Sequence, residues 1–163
     1  MGRSLSVLAV EFLTSEPAVR KEFTFPVMIW EAPTISKAEL ILNTRAGASD
    51  DAVGGFDSQV FPVSKRPKKV DGFPGGVTIG HAESNDIVIA HESLSRFHAY
   101  LSLDAQTKVW KVVDAESANG VWVNGEKLAP NIGAPLTDGA RLRLGEIELL
   151  FLLPEAFFAY LTL

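Results

Sequence analysis

Residues 77–103, VTIGHAESNDIVIAHESLSRFHAYLSL, carry three short apolar runs, VTIG, DIVIA and HAYLSL, parted by Gly, Ser, Asn and Asp. Apolar runs this short, bounded by turn formers, read as strands. The same texture continues outward, with SQVFPV before it and VWKVVD, VWVNG, RLRLG and IELLF after it. Several runs alternate apolar with polar, and their spacing of about ten residues predicts an antiparallel sandwich or barrel. No long helical period interrupts them. In GVWVNGEKL the pair Asn124-Gly125 supplies the positive φ angles of a two-residue type I′ hairpin.

The flanks read differently. In EFTFPVMIW, the alternation of Phe23, Phe25, Val27 and Ile29 predicts a half-buried strand, which Pro26 confines to a sheet edge. TISKAELIL, from Thr34 to Leu42, fits a short capped helix, with Ser36 and Glu39 in capping-box spacing, and fits a strand equally. GASDDAVGGF, residues 47–56, has the composition of a linker. The final PEAFFAYLTL opens with Pro154, suited to a first helical turn, and is apolar on nearly every side, so it either packs down or binds a partner. The basic run KRPKK at 65–69 reads as a solvated loop.

The 163 residues, 47% hydrophobic and 21% charged, suit one ordinary globular domain with extensions. A net charge of -5 argues against a protein that works by neutralising nucleic-acid phosphates. With no cysteine, disulfides and thiolate metal sites are excluded. LSVLAV stops at Glu11, too short for a signal core or a membrane helix, so a cytoplasmic location is expected. MGRSLS matches a myristoylation pattern loose enough to arise by chance.

Four groups recur in order: IGHAESNDI, SRFHA, DAESANGVWVNG and LTDGARLRLG. Their order and spacing resemble the forkhead-associated (FHA) domain over roughly residues 57–151. The resemblance implies an all-β sandwich of two antiparallel sheets that binds phosphothreonine peptides through loops at one end. It divides the chain into an N-terminal extension, residues 1–54, with a linker from about residue 44, an FHA domain, residues 55–153, and a C-terminal helix or tail, residues 154–163. It places Ser95 as a phosphate donor, Arg96 as a neighbouring cation and Asn119 as the holder of the peptide backbone. Those types suit a ligand of about -1.5 to -2 charge with three acceptor oxygens. Gly80, Asn85, His98, Gly120 and Asn124 also match and are expected to shape the site from within.

Two positions depart from the family. His81 stands where the phosphate-gripping arginine is expected, and Ala118 where many members carry a Ser or Thr. Arginine is always charged and offers a planar fork of donors, whereas a free imidazole is mostly neutral above pH 7. Losing one charge-assisted bond weakens binding about ten- to a hundred-fold. Three readings follow. His81 becomes a cationic ligand when a dianion binds; or Arg96 is the principal cation and His81 a neutral donor; or phosphate reading is lost and the fold serves as a phosphate-independent scaffold. The third draws on the apolar Phe23, Phe25, Ile29, Trp30, Phe157, Phe158 and Tyr160, whose other reading is that they pack on the sandwich and extend its core.

A hydrolase built from Ser95, His98 and Asp114 lacks the Gly-x-Ser-x-Gly turn, and His81, His91 and His98 have no recognised metal-ligand spacing. The expectation is therefore a phosphothreonine-binding module, not an enzyme, without cofactor or metal. Its expected partners are a threonine-phosphorylated protein and the Ser/Thr kinase that modifies it, and neither nucleic acid, membrane nor a small-molecule substrate.

Overall fold

A computed structural model of the chain describes residues 2–31, 57–66 and 73–163. TISKAELIL, the expected linker and Lys68-Lys69 lie outside these residues. In chain order the elements are β1 (Arg3–Ser4), α1 (Leu5–Glu22), β2 (Val27–Trp30), β3 (Gln59–Pro62), β4 (Val77–Gly80), β5 (Ile87–Val88) and β6 (Ala99–Leu103). They continue with β7 (Trp110–Asp114), β8 (Val121–Val123), β9 (Glu126–Lys127), β10 (Ala134–Leu136), β11 (Arg141–Leu144), β12 (Ile147–Leu152) and α2 (Pro154–Leu161). All eight expected strand segments are present.

The strands form two layers, one of seven in the order β1-β3-β2-β12-β11-β8-β9 and one of five in the order β10-β7-β6-β4-β5. Pairing is antiparallel except at β4–β5, where two residues run parallel because the chain loops back before pairing again. Between the layers lies the main core, with Ile79, Leu101, Val112, Val121, Leu142, Leu144, Leu149 and Phe151 almost or wholly out of water. These positions alternate with outward ones, as a pleated strand requires. Asn124 and Gly125, at φ 49 and φ 85, form the two-residue turn between β8 and β9.

Strand β2 corrects the edge assignment. It lies inside the seven-stranded layer, between β12 and β3, pairing Ile29 with Leu150 and with Val60. Pro26 precedes the strand, where its missing N–H costs no ladder bond, and its carbonyl accepts from Val63 N–H at 2.9 Å. Nor is β2 half-buried. Met28 enters the main core, and Val27 and Ile29 enter a second core on the outer face of the same sheet.

That second core is roofed by the two helices, and no alternation of strands announces it. Ser4 caps α1 by accepting from Val7 N–H, and the helix kinks at Ser15 (φ -147, ψ 55), two residues before Pro17. Its buried Leu8, Phe12 and Val19 meet Phe157, Phe158 and Leu161 of α2, with the Phe12 and Phe158 rings stacked at 5.7 Å. Arg20 lies 4.6 Å from the Phe158 ring centroid and pairs with Glu16 at 2.7 Å. The apolar termini are therefore packed down: Phe23, Ile29, Phe157 and Phe158 are buried, and the tail extends the core.

Candidate functional site

Register places several loops at one end of the sandwich. Ile79 at the end of β4 pairs with Ala99 at the start of β6, and Ala99 pairs with Asp114 at the end of β7. The Gly145 N–H donates to Gly120 O at 3.1 Å, bringing the β11–β12 turn to the same end. Loops 81–86, 90–98 and 115–120 thus meet there.

Gly80 lets the first two touch. A methyl group on it would overlap Arg96 O and sit 2.9 Å from both Ser95 O and Asn85 Nδ2. In that close contact His81 N–H donates to Ser95 O (2.9 Å) and Ala82 N–H to Arg96 O (3.1 Å). Asn85, buried, donates both amide hydrogens, to Ala82 O at 2.8 Å and Arg96 O at 2.6 Å.

His98 joins the second loop to the third. Its ring is fully buried; Nδ1 accepts from Ser95 N–H at 3.0 Å, which leaves Nε2 to donate to Gly120 O at 2.9 Å. Both nitrogens are used, and neither reaches the Ser95 hydroxyl or Asp114, whose Oδ1 accepts from Ser117 N–H. Asn124 Oδ1 accepts from Arg141 N–H at the opposite end, so Asn124 stands apart from the other matched residues.

Ser95, Arg96, Asn119 and His81 lie on these joined loops. The Ser95 oxygen accepts from Ala118 N–H at 3.0 Å, which fixes the hydroxyl and leaves its hydrogen to donate elsewhere. The exposed Arg96 guanidinium has no ion pair among the described residues. Asn119 Nδ2 donates to Ser93 O at 2.8 Å, keeping one N–H and Oδ1 without a partner among the described residues. His81 is exposed, and its Nδ1 lies 2.9 Å from His91 O. A carbonyl only accepts, so Nδ1 carries the proton and the neutral ring presents a lone pair at Nε2.

The sequence reading missed Ser93, His91 and Asp86. Ser93 is buried and joins three segments: its carbonyl receives Asn119, its hydroxyl oxygen receives Glu146 N–H at 3.0 Å, and its N–H and hydroxyl both meet His91 Nδ1. The only signal for it in the sequence is the His-x-Ser spacing of 91–93, which permits the local turn. Asp86 accepts from Thr78 N–H and Arg66 N–H and pairs with Lys65 at 3.3 Å. Burial pushes its carboxyl up, but the Thr78 and Arg66 N–H groups and the Lys65 ammonium outweigh that and hold it below the usual range. Among the described residues no cluster of three His, Asp or Glu could hold a metal ion, and no helix is long and apolar enough to cross a membrane.

The comparisons with known proteins agree with this frame. The family model for the FHA domain matches residues 77–145. An ABC transporter ATP-binding/permease protein of Mycobacterium tuberculosis is 34% identical over 122 residues, 74% of this chain and 14% of the transporter. The chain therefore spans about one seventh of that relative's length. The NMR-based structure of the FHA-2 domain of a Mycobacterium tuberculosis ABC transporter is 38% identical, with 54% of this chain and 79% of that one covered and a TM-score of 0.42. An engineered FHA domain with a Myc-pTBD peptide shares the fold at a TM-score of 0.51 and 16% identity, covering 85% of this chain and 98% of that one. The strand order, the motif residues and the family match coincide on one stretch, and the chain belongs to the FHA-domain proteins.

Proposed function

We propose that this chain is a phosphothreonine-peptide binding module, centred on Ser95, Arg96 and Asn119, that brings a threonine-phosphorylated partner to a complex. The observation that carries the reading is the Ser95 hydroxyl. Its oxygen is held by Ala118 N–H, so its hydrogen can serve an acceptor, and Arg96, without an ion pair among the described residues, adjoins it. A phosphate supplies three acceptor oxygens and a charge that only cations and donors can satisfy. Asn119 keeps one donor and one acceptor for the peptide backbone, and Ser93 fixes its orientation. The Ala118 N–H already serves Ser95, so the missing hydroxyl at that position is not replaced by the backbone.

His81 is assigned as a conditional ligand. Its Nδ1 hydrogen is committed to His91 O, so Nε2 donates to a phosphate only when the ring carries a second proton. Arg96 is then the permanent cation and His81 one recruited by the ligand's own charge. The module works beside a Ser/Thr kinase, in the cytoplasm, without cofactor or catalysis, with its peptide-binding loops within residues 55–153.

Purified protein passed over a degenerate peptide library in matched phosphothreonine and threonine forms tests this. Selective retention of the phosphorylated set is expected, with loss in Ser95→Ala and Arg96→Ala. Equal retention of both sets overturns it in favour of a phosphate-independent scaffold.

A further inference from the structure

Across β9, β8 and β11, on the outer face of the seven-stranded sheet, Lys127, Trp122 and Arg143 lie side by side in register. The Arg143 Cζ is 3.8 Å from the Trp122 ring centroid and the Lys127 Nζ 5.4 Å. Neither cation forms an ion pair among the described residues. Glu148, paired with Arg143 across β11–β12, is the nearest acidic position in that row.

The far edge of the indole leans back onto the proposed site. A methyl group on Gly120, at φ 87, would sit 3.0 Å from Trp122 Cη2 and 3.0 Å from Lys127 Cε. Gly120 follows Asn119, so bond lengths place the Lys127 ammonium within about 10 Å of the Asn119 Cα. Stacking uses the face of a guanidinium and leaves its edge N–H groups to donate. The indole thus holds Arg143 with its donors outward, beside a lysine and on the Asn119 flank of the loops.

We propose that Lys127 and Arg143, ordered by Trp122, form a subsite for an acidic side chain of the bound peptide, within about three extended residues of the phosphothreonine. The proposal rests on the phosphothreonine reading and adds the sequence class of the partner: a phosphothreonine with a nearby Asp, Glu or second phosphate. Charge complementarity selects the occupant, because two adjacent cations repel a basic segment and gain nothing from an apolar one.

Matched phosphothreonine peptides carrying Glu, Gln or Lys at every position on either side test it by titration. One position is expected to favour Glu over Gln about two- to fivefold, the upper part of the range for exposed pairs. Lys127→Gln with Arg143→Gln should abolish that preference while affinity for the Gln peptide stays unchanged. A preference that survives the double variant, or none at any position, overturns the subsite. Absence of all phosphopeptide binding would sink the parent reading, and the subsite is then read separately. An unphosphorylated Glu-rich peptide should shift the Trp122 indole N–H resonance where its Lys-rich counterpart does not; no shift overturns it.

Discussion

Replacing His81 by arginine should strengthen phosphopeptide binding and remove its pH dependence together. In the wild-type protein Nδ1 is held by His91 O, so contact with phosphate requires uptake of one proton at Nε2. Uptake of one proton limits the change in Kd to tenfold per pH unit. The gain from the completed charge-assisted bond is about 1.5–3 kcal/mol, or about ten- to a hundred-fold. Wild-type affinity should therefore fall as pH rises above the phosphate's own second pKa near 6, where the ligand is largely dianionic. His81→Arg should bind about tenfold or more tightly at the upper pH with a flat profile, and His81→Ala weakly with a flat profile. Titration by fluorescence anisotropy at matched ionic strength reads all three. The reasoning is refuted if the wild-type profile is flat, or if the slope persists in His81→Ala, which would move the proton to His91 or to the ligand.

Gly80→Ala places a methyl group against Arg96 O and should cost about 1–3 kcal/mol in urea unfolding, together with phosphopeptide affinity; unchanged stability would refute the close approach. Deleting residues 154–163 removes Phe157, Phe158 and Leu161 from the second core, each worth about 1.5–3 kcal/mol. Thermal unfolding should then show a large drop in Tm, and an unchanged Tm would mean the tail serves a partner instead. The lowered Asp86 carboxyl contributes stability that is present above the ordinary carboxylate value near 3.8 and lost as pH falls through its lower folded value. Asp86→Asn should make the acid side of the urea-midpoint profile shallower, and an identical slope would remove Asp86 from the account.

Most strands from Gln59 onward are legible because they are short apolar runs bounded by turn formers. Strand β10 escaped notice because it is three residues long with Pro135 at its centre, tolerated only because it borders the five-stranded sheet. Helix α1 was hidden by composition. Val7, Val10 and Leu13 are apolar yet exposed, blurring the stripe of Leu8, Phe12 and Val19, and Ser15 breaks the period midway. At the site, Ser95, Asn119 and His98 are identifiable through the resemblance to the FHA domain, but what each atom does is not. The committed proton of His81 and the bridging role of Ser93 exist only where separate loops close on one another.

The interior position of Val27–Trp30 has a consequence for assembly. A fragment beginning at residue 55 would lack an inner strand, and β12 and β3 would each present a row of unpaired N–H and C=O groups. The segment that fits that gap in register and in side-chain pattern is the same strand from another molecule. Trading Val27–Trp30 between two intact chains would restore the ladder bonds of β2 and the second core, so strain that expels this strand would favour its exchange over an open gap.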